Sequence, residues 1–205
     1  MKLVIATRNP GKAREIKAIL SDADLTVLTL DDFPGLELPP EDGATFEENA
    51  LIKARHVAER TGLAALADDS GIEVDALGGR PGVYSARYAG PGATDEENNR
   101  KLVEELRGVD EARRTARYRC VVALVTPEGL EKTFSGAFEG RIVLEPRGSG
   151  GFGYDPYFFV PSRRMTAAQL PPDEKNRLSH RAEALRKLKA WLGHGAAGLE
   201  KKSPP

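Results

Sequence analysis

The chain alternates short apolar runs with apolar positions at helical spacing. Leu3, Val4, Ile5 and Ala6 form an unbroken run, the pattern of a short buried strand. A polar turn follows, Thr7-Arg8-Asn9-Pro10-Gly11-Lys12, and then Ile16, Ile19 and Leu20 recur at helical spacing. Thr45 and Glu48 make a capping box, predicting a helix that buries Phe46, Ala50, Ala54, Val57 and Ala58. Asn49, Lys53 and His56 fall on a different face of it. Residues 63–77 read as two strands around a turn at Asp68-Asp69-Ser70-Gly71. Gly78-Gly79-Arg80-Pro81-Gly82 then opens a loop.

A second capping box, Thr94 with Glu97, predicts a helix reaching about Leu106. Arg117 to Thr126 reads as a strand, Pro127-Glu128-Gly129 as a turn, and Leu130 to Gly136 as the antiparallel partner. Phe138 to Glu145 reads as a further strand, and Tyr157 to Val160 as a short apolar run. Leu185, Leu188 and Leu192 mark the last helix, with Ser179 as its N-cap. Residues 194–205 are polar and rich in Gly and Pro, the composition of a disordered tail, leaving 1–193 as one domain. Strands and helices joined by both crossovers and hairpins predict an α/β fold on a mixed sheet.

Composition narrows the classes. Thirty Lys and Arg oppose 31 Asp and Glu, which argues against a broad nucleic-acid surface. The single cysteine, Cys120, excludes an internal disulfide and lies in an apolar run as a core residue. No signal peptide or long apolar segment is legible, so a cytoplasmic protein without membrane contact is expected.

Candidate chemistry sits in four places. The strand–turn–helix at residues 2–20 offers backbone N–H groups at a helix N-terminus with Lys12 beside them, a physical recipe for holding phosphate. It is not a Walker A loop, because Ala13 follows Lys12 where a hydroxyl is needed. Asp69 on an Asp-Asp-Ser-Gly turn can hold Mg²⁺ or take a proton from water, and Glu41 and Asp42 add acidic groups nearby. Gly151-Phe152-Gly153 frees the faces of an aromatic ring for a planar ligand. Lys175, His180 and Arg181 put donors near the start of the last helix, where the dipole disfavours cations unless an anionic or oxo partner is present.

Six ordered segments together resemble one family: Thr7-x-Asn9-x-x-Lys12; Glu41 to Ala50 with Lys53-Ala54; Ala67-Asp68-Asp69-Ser70-Gly71; Gly78 to Arg87; Phe152-Gly153-Tyr154-Asp155-Pro156; and Lys175-Asn176 with Ser179-His180-Arg181. The chain resembles the inosine/xanthosine triphosphate pyrophosphatases, house-cleaning enzymes of the RdgB type. That resemblance implies a long mixed central sheet flanked by helices, two lobes with the nucleotide cleft between them, and a homodimer. It implies Mg²⁺-dependent hydrolysis of XTP, ITP and dITP to monophosphate and pyrophosphate. By resemblance, Asp69 is the catalytic base and a metal ligand with Glu41. Thr7, Arg8, Asn9, Pro10, Gly11, Lys12 and Lys53 face the triphosphate, and Ser70 contacts substrate. Phe152, Gly153, Tyr154, Asp155, Lys175, His180 and Arg181 form the base and sugar side. Gln169 stands where the family pattern has an acidic residue, and Pro171-Pro172 precedes Lys175. The alternatives are a Maf-type pyrophosphatase for modified pyrimidine nucleotides and a non-catalytic nucleotide-binding module.

Overall fold

The short run Leu3–Ala6 becomes the centre of a parallel trio of strands. The computed structural model describes residues 1–199. Strand β1 (Lys2–Ile5) lies between β2 (Thr26–Thr29) and β3 (Ala64–Val74), parallel to both. Helix α1 (Pro10–Ile19) joins β1 to β2, and α2 (Phe46–Thr61) leads into β3. β4 (Thr115–Val125) and β5 (Glu131–Ile142) add a long antiparallel hairpin, and β6 (Phe158–Val160) and β7 (Met165–Thr166) complete the order β2-β1-β3-β4-β5-β6-β7. Helices α3 (Asp95–Glu105), α4 (Pro172–Leu178) and α5 (His180–Leu199) flank this mixed seven-stranded sheet. Among the described residues no helix is long and apolar enough to cross a membrane.

Alternation on the strands divides the core. Leu3, Ile5, Leu66, Cys120 and Val122 pack with Ile16 and Leu20 of α1 and with Leu185 and Leu188 of α5. Val4, Ala65, Ala67 and Ala123 pack on the opposite face against Ala50, Ala54 and Val57 of α2. A third cluster, with Ile72, Leu102, Tyr118 and Phe158, lies towards the far end of the sheet. Helices cover both faces of β1, and beyond its carboxyl end β3 runs on past Leu66 to Asp68 and Asp69 beside the turn that leads into α1, the end of the strands at which open α/β sheets bind ligands.

Several expectations need correction. Asp68 to Gly71 form no turn: β3 runs through them, paired residue for residue with Val122, Val121, Cys120 and Arg119 of β4. The ladder outweighs the turn preference of Asp, Ser and Gly. Gly71 is there for room, since a Cβ would lie 2.3 Å from the Gly82 carbonyl oxygen. Leu130 to Gly136 and Phe138 to Glu145 are likewise not two strands, because β5 is continuous from Glu131 to Ile142. Pro171-Pro172 starts α4, with Pro172 in the first turn where its missing N–H costs nothing. Gln169 accepts from the Thr166 amide at 3.0 Å and closes a short capping box. Both capping boxes on α2 and α3 are present, and Ser179 caps α5 by accepting from the Ala182 amide at 3.2 Å. α5 continues past Gly193 to Leu199, so 194–199 are helical where a disordered tail was expected; 200–205 lie outside the described residues.

Candidate active site

Because β3 stays extended, its two adjacent carboxylates point to opposite faces of the sheet. Asp69 faces α2. Its Oδ2 accepts from Asn49 Nδ2 at 3.0 Å, and Lys53 Nζ lies 3.8 Å from its Oδ1. Lys53 also donates to Glu41 Oε1 at 2.5 Å and to the Asp68 carbonyl at 2.8 Å. Asn49 and Lys53 are one helical turn apart on α2, and both are buried. Burial pushes the Asp69 carboxyl up from its usual range, and nearby Glu41 adds to this against Lys53 and Lys12. Burial opposes the charge of Lys53 too, but Asp69, Asp68 and Glu41 outweigh it and hold the ammonium up. A carboxylate poised in this way suits proton abstraction.

Asp68 faces α1 and α5. Its Oδ2 accepts from Arg181 Nη2 at 2.9 Å and lies 3.1 Å from Lys12 Nζ, while Oδ1 has no hydrogen-bond partner among the described residues. Burial works against its charge, yet Lys12, Arg181 and Lys53 together hold the carboxyl far below the ordinary range. Asp68 is therefore an ion-pair anchor, distinct in role from Asp69.

The same face carries a continuous chain of charge. Arg181 also reaches Ser70 Oγ at 2.9 Å and pairs with Glu15. Glu15 lies 2.9 Å from Lys175 Nζ, which donates to Asp155 Oδ2 at 2.5 Å. Asp155 Oδ1 accepts from the Tyr118 hydroxyl at 3.1 Å. Phe152 crosses this chain: Lys175 Nζ is 4.7 Å and the Arg181 guanidinium carbon 5.9 Å from its ring centroid. Its other neighbour is Gly11, where a Cβ would sit 2.6 Å from the ring. The Thr7–Lys12 turn and the Phe152 ring thus meet at Gly11.

Other residues stand differently from the expectation of an open pocket. Asn9 Oδ1 accepts from the amides of Gly11 and Lys12 at 2.9 and 3.1 Å, so these N–H groups are capped instead of free for an anion. Thr7 Oγ1 accepts from the Asn9 amide, Pro10 starts α1, and Arg8 turns to the Leu36 carbonyl at 2.6 Å. Tyr154 is buried with its hydroxyl on the Ser85 carbonyl. His180 is buried and stacked on Tyr118, ring centroids 4.7 Å apart. Burial, with Arg181 and Lys175 nearby, keeps its imidazole neutral at ordinary pH, against the expectation of a charged donor. Sequence reasoning missed Glu15, although its spacing of three from Lys12 on one helix was a usable sign.

The buried neutral His180 sets a pH test. Unfolded, it titrates near 6.5; folded, it binds its proton only at far lower pH. Below 6.5 the unfolded state holds more protons, so stability falls as pH falls, by up to about 1.4 kcal/mol per pH unit. His180→Phe should remove that increment, seen as a shallower loss of urea-unfolding free energy from pH 7 to 5 than in wild type. Parallel slopes would mean that His180 is protonated in the fold.

For a metal, the donor set is two carboxylates. Among the described residues no group of three or more His, Cys, Asp or Glu side chains is arranged to hold an ion. Asp69 and Glu41 are hard oxygen donors on either side of Lys53, and the burial that disfavours the Asp69 charge would be relieved by a cation. That set fits Mg²⁺, which binds through one or two carboxylates and keeps its other positions for water and phosphate oxygens.

The cluster beyond the end of β1, with its two carboxylates, cations and aromatic ring, defines a class: α/β proteins with a charged site at the end of the first parallel strand, a chemistry that suits a planar, polyanionic ligand. The Ham1 family model matches residues 3–191, and the chain belongs to that family. It is 57% identical over 192 residues to the dITP/XTP pyrophosphatase of Geobacter sulfurreducens, covering 94% of this chain and 96% of that one. Identity to a dITP/XTP pyrophosphatase of Thermus thermophilus is 55% over 188 residues, covering 92% and 90% of the two chains. The structure of a HAM1 protein from Coxiella burnetii superposes with a TM-score of 0.86 at 45% identity, covering 95% of this chain and 99% of that one.

Proposed function

We propose that this protein hydrolyses XTP, ITP and dITP, purine nucleoside triphosphates outside the standard set, to the monophosphate and pyrophosphate. The observation that carries the reading is the contact of Phe152 with Gly11, which joins a base-stacking ring to the Lys12 side of a site holding buried Asp69. The names of the relatives support it. Asp69 and Glu41 would hold Mg²⁺, which when bound would neutralise phosphate charge and make water more acidic. Asp69 accepts the proton of the attacking water. Lys12 and Lys53 balance the charge that develops on the departing pyrophosphate. Thr7, Asn9 and Ser70 orient the triphosphate.

Base preference follows from donors. Among the described residues, the partners of Lys175 leave one of its three N–H groups free, and those of Arg181 leave one of five. A 6-oxo group accepts from such donors, whereas the 6-amino group of adenine meets donor with donor. A buried mismatch costs ~1–3 kcal/mol, or roughly five- to 150-fold. Purified protein with Mg²⁺ and a panel of XTP, ITP, dITP, GTP and ATP, with products resolved as pyrophosphate or phosphate, tests the reading. Pyrophosphate release with ATP far slower than XTP is expected; equal rates on ATP and XTP overturn it.

Phe152→Ala should raise KM with little change in melting temperature, since the ring is only half-buried and a base–aromatic stack contributes ~1–3 kcal/mol. A collapse of melting temperature would make the ring a core anchor. The proposal includes a cytoplasmic homodimer, whose mass light scattering reports.

A further inference from the structure

The loop that carries Phe152 is gripped from outside by one helix. Asp95 Oδ2, in the first turn of α3, accepts from the Gly153 amide at 2.7 Å. One turn later Asn99 Nδ2 donates to the Gly153 carbonyl at 2.9 Å. Both backbone polar groups of one residue are thus tied to the same face of one helix. Gly153 has φ +60°, a left-handed conformation in which glycine is at ease. On the other side of the ring, Asp155 Oδ2 accepts from the Phe152 amide at 3.0 Å. The backbone is held on both sides of Phe152, which fixes where its side chain leaves the loop.

Asn99 has an odd environment for a packing residue. It is 6% exposed, and its Oδ1 is buried with no partner among the described residues. An unpaired buried acceptor is costly, so an apolar side chain of similar shape would pack better there. The amide is explained by its other end, the bond to Gly153.

We propose that Asp95 and Asn99 are positioning residues that hold the Phe152 side chain in place, and through it the grip on the purine base, without touching substrate. This rests on the nucleotide reading above. Asp95→Ala should raise KM for ITP by about tenfold, the scale of one lost hydrogen bond to a charged group, with kcat lowered much less. Asp95→Asn retains an acceptor oxygen and should restore KM. In a Phe152→Ala background Asp95→Ala should add nothing, because both remove the same interaction. Without nucleotide, the Gly153 amide should exchange its hydrogen faster in Asp95→Ala than in wild type. Additive effects on KM, or unchanged Gly153 exchange, overturn the positioning role. Wild-type protein that neither binds nor hydrolyses ITP overturns the nucleotide reading instead, a result separate from the exchange measurement. Should Asn99→Ala fold poorly, exposed Asp95 carries the test alone.

Discussion

Asp69→Asn is expected to lower kcat by ~10²–10⁴ and to leave the fold intact. The amide occupies the same volume, and its oxygen can still accept from Asn49 Nδ2, which lies 3.0 Å from Asp69 Oδ2. What disappears is the charge that attracts Lys53 and a cation, together with the acceptor for the proton of water. Burial keeps the Asp69 carboxyl above its ordinary range, so, as the proposed base, it is expected to act at higher pH in the free protein than an exposed aspartate would. Excess EDTA should abolish wild-type turnover if Mg²⁺ sits at Asp69 and Glu41. Steady-state rates of pyrophosphate release check both points. Turnover near the wild-type rate in the variant would remove Asp69 from the mechanism, and full activity in EDTA would remove the metal.

Asp68→Ala should destabilise the protein by ~3–5 kcal/mol, the usual effect of deleting one member of a buried ion pair. Arg181 is 1% exposed and would keep only Glu15 and Ser70, and Lys12 would lose its carboxylate at 3.1 Å. Against a typical total of about 5–15 kcal/mol, that is a large share. Urea unfolding at pH 7 measures it. A loss below about 1 kcal/mol would place Asp68 with exposed ion pairs, whose contribution is of that size.

The two aspartates also show what was legible in the sequence. Asp-Asp-Ser-Gly reads locally as a turn, and only ten residues of pairing with β4, from Ala65 to Val74, keep it extended. That pairing is long-range and leaves no local sign. The strand–turn–helix from Leu3 to Leu20 was legible because its information is local: an apolar run, a Pro at the helix start and periodic Ile16. The capping boxes at Thr45 and Thr94 were legible for the same reason. Asp95 and Asn99 read as ordinary helix residues, since Gly153 lies more than fifty positions away. The capping role of Asn9 went unread: its Oδ1 accepts from the adjacent Gly11 and Lys12 amides, a use that does not involve its Nδ2 donor.

The unbroken pairing of β3 restricts how chain length can vary. A residue inserted between Leu66 and Ala67 would move every later side chain to the opposite face. Ala67 would take the place beside Arg181, and Asp68 the place beside Lys53 and Glu41. The site would retain a carboxylate, but the buried guanidinium would lose its own. Insertions and deletions are therefore admissible at the Pro127–Gly129 hairpin turn and excluded from the strand that separates the two aspartates.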